Sequence, residues 1–569
     1  MTESPTGRQQ LGVVVGGSLT KSLEVRLDPG RSAALGHYVM APLGDGAEVL
    51  GMVTDIILRS AEAGSISWPP PSGDDLQAEL LRDVLLDTGV YTAVEVNPYL
   101  EVNRHTGETA RARRLPRHFA AVSLAGQEAL DVAFNTGDRA AIRVGTPLGM
   151  EDVELFIDLE KLFERSAGIF GKSGTGKTFL ALPLLDAMIA NSSRAPTNRD
   201  RTVALVFDMH NDYGYGVKAQ GEGERPSLKR RHPSAVAVYT LEDNVPNSDG
   251  RIVVGTRDIE PEDLRILQDS AYFTDQAIEA SFDLRTRFGA GWLDELLNDE
   301  PSEAVVRAAW RDGDEPEDLS WNRVATRIGI HTGSFDSLRR GLRTLARREF
   351  VDKGSKQFSG SIATIVQMLQ AGKSCVIQFG KHGNDLTSYM LIANMLSRRI
   401  WEEYRDDMEK ARGDTTKEPN RLVIVIEEAH KFIDKTRAGH SIFGQIAREL
   451  RKYNVTLLVI DQRPSQIDSE VLSQIGTRFC LQLDSEADVE AMVGGMQGRA
   501  GLKQVIASLE SKQQALVYGH ALPMPVVVRP PDLPRDALPG ASLRERLAVV
   551  GGRPLQPVTP SGLFGPRSD

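Results

Sequence analysis

Eight residues, Gly171–Thr178 (GKSGTGKT), constrain this chain more than any other stretch. They follow the pattern of a Gly, four residues, then Gly-Lys-Thr. The apolar run Ser166–Phe170 before them predicts a strand leading in, and a helix is expected to leave from Lys177. Glycines admit backbone conformations that a Cβ forbids, so successive N–H groups can turn inward and cradle phosphate oxygens. The partial positive charge of a helix N-terminus acts in the same direction. On this reading Gly171, Lys172, Ser173, Gly174, Thr175, Gly176, Lys177 and Thr178 bind a nucleotide, ATP. Lys177 would reach its β- and γ-phosphates, and the Thr178 hydroxyl would hold Mg²⁺. An ordinary Gly-rich turn has no need of the complete Gly-Lys-Thr ending. Pro183, which has no N–H to give, is expected to loosen or bend the helix.

The rest of the chain divides around this loop. Its 569 residues suit three or four domains. A net charge of −11 provides no global field drawing it to nucleic acid, so DNA contacts would need local basic patches. Two cysteines, Cys375 and Cys480, each in an expected buried strand, argue against zinc sites and disulfides and fit a reducing cytoplasm. No apolar leader and no run of about eighteen apolar residues is visible, so a soluble protein with no membrane contact is expected. Residues 11–60 alternate short apolar runs with Gly, Pro and Asp, which predicts a small β-barrel or sandwich. A Pro-rich break at Trp68–Ser72, a helix over Asp75–Leu86 and further strands to about 145 complete residues 1–148. This region carries no catalytic constellation, and docking, assembly or stabilisation is its expected role. From 149 the pattern becomes α/β. Apolar runs at Val203–Phe207, Cys375–Phe379, Leu422–Ile426, Thr456–Ile460 and Phe479–Leu483 suit strands of a parallel central sheet covered on both faces. The core is expected over 149–260 and 371–530, interrupted by an all-helical insertion over 261–370. A Pro- and Gly-rich C-terminal arm, 531–569, would be disordered or laid on a neighbouring subunit.

Four further stretches carry chemistry. The run Arg421–His430 is a buried strand ending in two acids, a costly arrangement unless a cation is near. In phosphate-loop enzymes such a strand gives its first acid to Mg²⁺ and its second to the attacking water, here Glu427 and Glu428, with Glu428 as general base. His430 reads as a structural partner of the loop. The run Val455–Ile460 predicts a neighbouring strand from which Gln462 emerges, placed to touch the γ-phosphate and report hydrolysis. A helix over Ile442–Tyr453 would bury Ile442, Ile446 and Leu450 and carry Arg448 and Arg451 on another face. These are either a finger acting across a subunit boundary or a surface pair making salt bridges with Glu449 and its neighbours. Asp208–Tyr213 (DMHNDY) ends the Val203 strand with acids and a His. Its spacing fits no metal-ligand pattern, so a loop lining the nucleotide site or a pore is expected. Two basic patches, Lys229–His232 and Arg339, Arg340, Arg343, Arg347 and Arg348 on one helical segment, are expected on solvated faces or lining a DNA channel. Without interleaved aromatics, binding there would be sequence-independent.

This ordered set, from the N-terminal barrel through GKSGTGKT, DMHNDY, the helical insertion, IEEAH, IARELRKYNV and DQRPSQID, resembles the HerA family in the HerA/FtsK branch of RecA-like ATPases. Leu472, Ser473, Gln474, Arg478 and Phe479 extend the resemblance. It implies a RecA-like P-loop core, a HAS-barrel-like N-terminal domain and a homohexamer translocating double-stranded DNA. It also implies a partner nuclease of the NurA type and a role in end resection and recombinational repair. It assigns the finger to Arg451. Leu450 stands where the family usually has Gly, and Asp461 where a Ser commonly precedes the Gln. Relatives that serve as scaffolds for nuclease or NADase effectors in anti-phage defence give a second reading. A secretion or conjugation ATPase is a third, disfavoured because no membrane segment is visible. An ABC-type ATPase is disfavoured because no LSGGQ-like signature occurs.

Overall fold

The computed structural model describes residues 10–60, 90–103, 106–134, 140–150, 153–214, 227–243, 245, 248–268, 273–310, 320–354, 357–436, 438–439, 441–449, 452–496, 499–511 and 514–530. The expected helix at Asp75–Leu86, the Pro-rich break and the C-terminal arm lie outside these residues, as does Arg451.

The N-terminal region is a barrel. Its strands are β1 (Gln10–Gly17), β2 (Leu23–Leu27), β3 (Tyr38–Pro42), β4 (Ala47–Ser60), β5 (Val90–Asn103), β6 (Glu108–Arg111) and β7 (Ala121–Leu124). They run in the order β2-β1-β7-β3-β4-β5-β6, and β2 also pairs with β5, which closes six strands and leaves β6 outside the ring. Period two explains how β3 can be buried along most of its length. Val39 and Ala41 face the barrel interior, while Tyr38 and Met40 pack into the core shared with the rest of the chain. The Tyr38 hydroxyl accepts from the Val527 N–H at 3.0 Å and donates to the Pro525 carbonyl at 3.3 Å, seaming barrel to core.

A single twelve-stranded sheet organises the remainder. It contains β8 (Ala141–Pro147), β9 (Leu155–Asp158), β10 (Ala167–Phe170), β11 (Thr202–Asp208), β12 (Val236–Thr240) and β13 (Gly250–Arg251). A separate two-residue parallel pair, β14 (Val254–Gly255) with β15 (Val351–Asp352), brackets the helical segment between them. The large sheet continues with β16 (Ser374–Gln378), β17 (Arg421–Glu427), β18 (Val455–Asp461), β19 (Thr477–Cys480), β20 (Ala515–Gly519) and β21 (Val526–Arg529). Its order is β13-β12-β16-β11-β17-β18-β10-β19-β20-β21-β8-β9. From β13 to β19 all pairings are parallel, and from β19 to β9 they are antiparallel.

Three expectations change here. The sheet reaches back to β8, N-terminal of the expected boundary at 148–149. The strand expected at Phe479–Leu483 starts earlier, at Thr477, because its register follows β10. Among its described residues the insertion is helical except for β15 and connecting turns, and its last helix, Gln357–Gln370, packs on β16 and β11.

The helix α1 (Lys177–Ser192) runs without interruption through Pro183. The residues beyond it, Leu184, Leu185, Ala187, Met188 and Ile189, are buried, and the helix packs on β10 and β11. Tertiary burial outweighs the loss of one backbone donor. The helix also carries Asp186, fully buried, which receives Arg231 at 2.7 and 2.9 Å and approaches His232 Nε2 at 2.7 Å. Within the Lys229–His232 patch only Arg230 is exposed to solvent. Arg231 and His232 are turned onto α1, and Lys229 binds the Pro233 and Val236 carbonyls and Asp249. Burial opposes ionisation of Asp186, but the hydrogen bonds from His232 and Arg231 outweigh it and hold the carboxyl down to about 2.

Removing one member of a buried pair strands the other charge. Asp186→Ala is therefore expected to lower stability by about 3–5 kcal/mol, read from equilibrium denaturation at neutral pH. The advantage of the wild type should be complete above the ordinary carboxylate range and disappear as pH falls through about 2.

Candidate nucleotide-binding site

The loop between β10 and α1 is wound around its own lysine. Gly174 and Gly176 have φ of 76° and 97°, where a side chain is strained. At Gly171 a Cβ would lie 2.8 Å from both the Leu481 Cβ and the Thr175 hydroxyl, so the close turn requires glycine. The Lys177 ammonium donates to the carbonyls of Gly171 at 2.9 Å and Lys172 at 3.1 Å. Thr175 donates to the same Lys172 carbonyl at 2.8 Å. Burial lowers the Lys177 pKa, opposed by the fields of Glu428, Asp461 and Glu427. Thr178 follows in the first turn of α1 and is partly exposed, whereas Ser173 and Gly174 are open to solvent. Lys172 reaches Asp484 at 2.8 Å.

The carboxylates come from the ends of adjacent parallel strands. Glu427 ends β17, is 5% exposed and accepts from the Tyr213 hydroxyl at 3.1 Å through Oε1. Its Oε2 is buried without a hydrogen-bond partner among the described residues. Burial, reinforced by the nearby Asp208, pushes its pKa up to about 8. The next residue, Glu428, adopts φ 50° and ψ 44°, a left-handed turn that ends the strand. Gln462 donates through Nε2 to Glu428 Oε1 in a short hydrogen bond. Asp461, fully buried at the end of β18, accepts from the backbone N–H of His430 at 2.7 Å and lies 2.9 Å from its Nδ1. It also accepts from the Arg463 N–H. His430 is thus tied down by Asp461, with Glu428 at 3.6 Å.

The DMHNDY stretch folds over these strand ends. Asp208, fully buried, gathers the N–H groups of Asp212, Tyr213 and Gly214 at 2.7, 3.0 and 2.8 Å. Burial still raises its pKa to about 7, despite those donors. Among the described residues no group of three His, Cys, Asp or Glu forms a metal cage.

The structure brings Lys177, Glu427, Glu428 and Gln462 together around the phosphate loop. Of the two candidate finger arginines, Arg451 lies outside the described residues and Arg448 is committed to other partners. Helix α2 (Ile442–Glu449) buries Ile442, Phe443, Gly444, Ile446 and Ala447. On it, Arg448 pairs with Glu470 at 3.2 Å and with the Ala438 carbonyl at 3.3 Å, so its partner is not Glu449. The second basic patch is also not continuous on one helix. The helix Thr332–Leu345 ends before Arg347 and Arg348. Arg339 lies over Trp321, Arg343 pairs with Asp299, and Arg348 with Asp385. Arg340 and Arg347 are exposed. Tyr213 and Tyr389 both meet Glu427, and neither contact has a signal in the sequence. Tyr389 donates to the Glu427 carbonyl at 2.9 Å and accepts from its N–H at 3.2 Å. An aromatic in a long buried helix carries no local signal of such a contact.

The site fits a magnesium nucleotide. It has a cradle that a Cβ would fill, a lysine held by carbonyls, a hydroxyl at the helix start and an orphaned carboxylate oxygen. Mg²⁺ is normally held by one or two protein oxygens together with substrate phosphates, so no protein-only cage is needed. The donor set for it would be Thr178 and Glu427.

Residues 142–400 match the family model described as Helicase HerA, central domain, and residues 11–81 match the HAS barrel domain. The chain is 23% identical over 553 residues to the DNA double-strand break repair helicase HerA of Pyrococcus furiosus, covering 91% of each protein. It is 22% identical over 525 residues to the protein of the same name from Saccharolobus solfataricus, again covering 91% of each. Among solved structures, the plasmid coupling protein TrwB in complex with ADP and Mg²⁺ aligns over 74% of this chain and 95% of its own. The identity is 11% and the TM-score 0.44. No helix among the described residues is long and apolar enough to cross a membrane. With the barrel, the phosphate loop and the paired acids set as described, the chain is a P-loop ATPase that carries a HAS barrel and a central domain of the HerA type.

Proposed function

We propose that the protein hydrolyses ATP to move along double-stranded DNA, as a homohexameric ring working with a NurA-type nuclease at DNA ends. Lys177 and the loop amides hold the β- and γ-phosphates, and Thr178 and Glu427 hold Mg²⁺, which neutralises phosphate charge when bound. Glu428 takes the proton of the attacking water. Gln462 couples the state of that site to the β18 strand end, and Arg451 of a neighbouring subunit stabilises charge on the γ-phosphate. The observation that carries this reading is the hydrogen bond of Gln462 to Glu428 beside a carbonyl-bound Lys177. Base and sensor are thereby joined on adjacent strands. The relatives named for DNA double-strand break repair support DNA as the track. The commitment of Arg448 to Glu470 favours Arg451 as the finger.

Steady-state ATPase of the wild type should rise with linear duplex DNA, and the stimulation should weaken as salt rises. Glu428→Gln should lower turnover at least about 100-fold while nucleotide affinity is retained. Turnover indifferent to DNA would remove the translocase reading and favour an ATP-assembled scaffold for an effector.

Arg451→Ala should bind nucleotide normally and lose about 10³-fold or more in kcat. Arg448→Ala, which breaks a half-exposed ion pair, should lose little. The reverse ranking would move the finger to Arg448.

A further inference from the structure

Glu427 is fixed from two directions, by two tyrosines with different tasks. Tyr389 holds its backbone through both the N–H and the carbonyl. Tyr213 touches only the carboxylate, at Oε1. A glutamate at a strand end has three rotatable side-chain bonds, and its two oxygens are equivalent until something distinguishes them. Here one oxygen is occupied by a buried donor and the other has no partner among the described residues.

The donor itself is rigidly mounted. Tyr213 is fully buried. Its backbone N–H and those of its two neighbours converge on Asp208, which ends β11, the strand paired with β17. Asn211 takes φ 61° and exchanges hydrogen bonds with Gly380, its Oδ1 accepting from the Gly380 N–H at 3.0 Å. At Gly214 a Cβ would lie 2.1 Å from the side-chain nitrogen of Gln378, so the loop lies directly against β16. The loop is pinned to two strands and a turn, and one hydroxyl projects from it onto Glu427. A tyrosine serving only to fill the core would need no such mounting for its oxygen.

We infer that Tyr213 is a positioning residue for Glu427, locking Oε1 so that Oε2 is the oxygen available to the magnesium nucleotide. The inference rests on the reading of Glu427 as a metal-holding residue, and its test separates the two. Mn²⁺ binding to the full-length protein, saturated with a non-hydrolysable ATP analogue, is followed by electron paramagnetic resonance of the free ion. Metal-free affinity for a fluorescent nucleotide is measured in parallel in EDTA. Tyr213→Phe keeps the ring and deletes the hydroxyl. It should weaken metal affinity about 10- to 100-fold, as loss of groups that orient a metal ligand does. Metal-free nucleotide affinity should stay within about twofold, because the loop amides and Lys177 are untouched. In ATPase assays the metal concentration for half-maximal rate should rise, with kcat largely recovered at saturating metal.

If Tyr213→Phe binds Mn²⁺ as the wild type does while Glu427→Gln does not, Tyr213 is packing alone and the inference is overturned. If Glu427→Gln also leaves metal affinity unchanged, the reading of Glu427 fails and the inference falls with it. Should Tyr213→Phe not fold, Asp208→Asn loosens the same mounting. Weakened metal affinity in it supports the inference, and unchanged affinity overturns it.

Discussion

The nucleotide site depends on one buried carboxylate that ties separate chain segments together. Asp461 ends β18 with its side chain fully enclosed, accepting from the His430 and Arg463 backbone N–H groups and lying against the His430 ring. Its own backbone carbonyl accepts from the N–H of Gly171 at 3.2 Å, the first residue of the phosphate loop. One residue therefore joins the loop, the turn carrying Glu428 and His430, and the segment carrying Gln462. An unpaired carboxylate in such a place would be prohibitive. Supplied with two backbone donors and a histidine, it fixes the relative positions of three chain segments far apart in sequence.

This arrangement explains which features were legible in the sequence. The phosphate loop, the acids of β17 and the Gln after β18 were readable because each needs a particular residue at a particular offset from a strand end. Parallel strands buried on both faces produce apolar runs, and those runs located β11, β16, β17 and β18. β19 was displaced because Leu481 and Leu483 continue the apolar run after the ladder has ended at Cys480. Asp461 looked like a departure from the family pattern, yet its His430 contact is a tertiary one that no local spacing encodes. The same is true of Lys229–His232. A basic run reads as solvated until a partner is found, and the partner, Asp186, lies on the phosphate-loop helix. Tyr213 belongs to the DMHNDY stretch, but its contact with Glu427 crosses from β11 to β17 and depends on how the loop folds back.

The helical segment meets the same strand ends. Arg348 pairs with Asp385 at 2.9 Å, and Lys381 with Glu349 at 2.5 Å. Phe350 lies edge-on to His382, with ring centroids 5.4 Å apart. The turn that takes these contacts contains Gly380, the residue exchanging hydrogen bonds with Asn211 in the loop of Tyr213. A contiguous series of packed and hydrogen-bonded groups thus runs from the helices to Glu427.

The row of acids across the sheet is best understood by how fully each is compensated. Asp461 has two backbone donors and a histidine, and Asp208 has three backbone donors. Glu427 has one phenol and an oxygen with nothing against it among the described residues. Burial raises both Asp208 and Glu427, to about 7 and about 8. A divalent cation arriving with phosphate would stabilise the ionised form most where compensation is poorest, and that position is Glu427. Asp461 and Asp208, the acids supplied with backbone donors, hold the architecture. On the proposed reading, the under-compensated one, at the end of β17, is the acid that would meet the ligand.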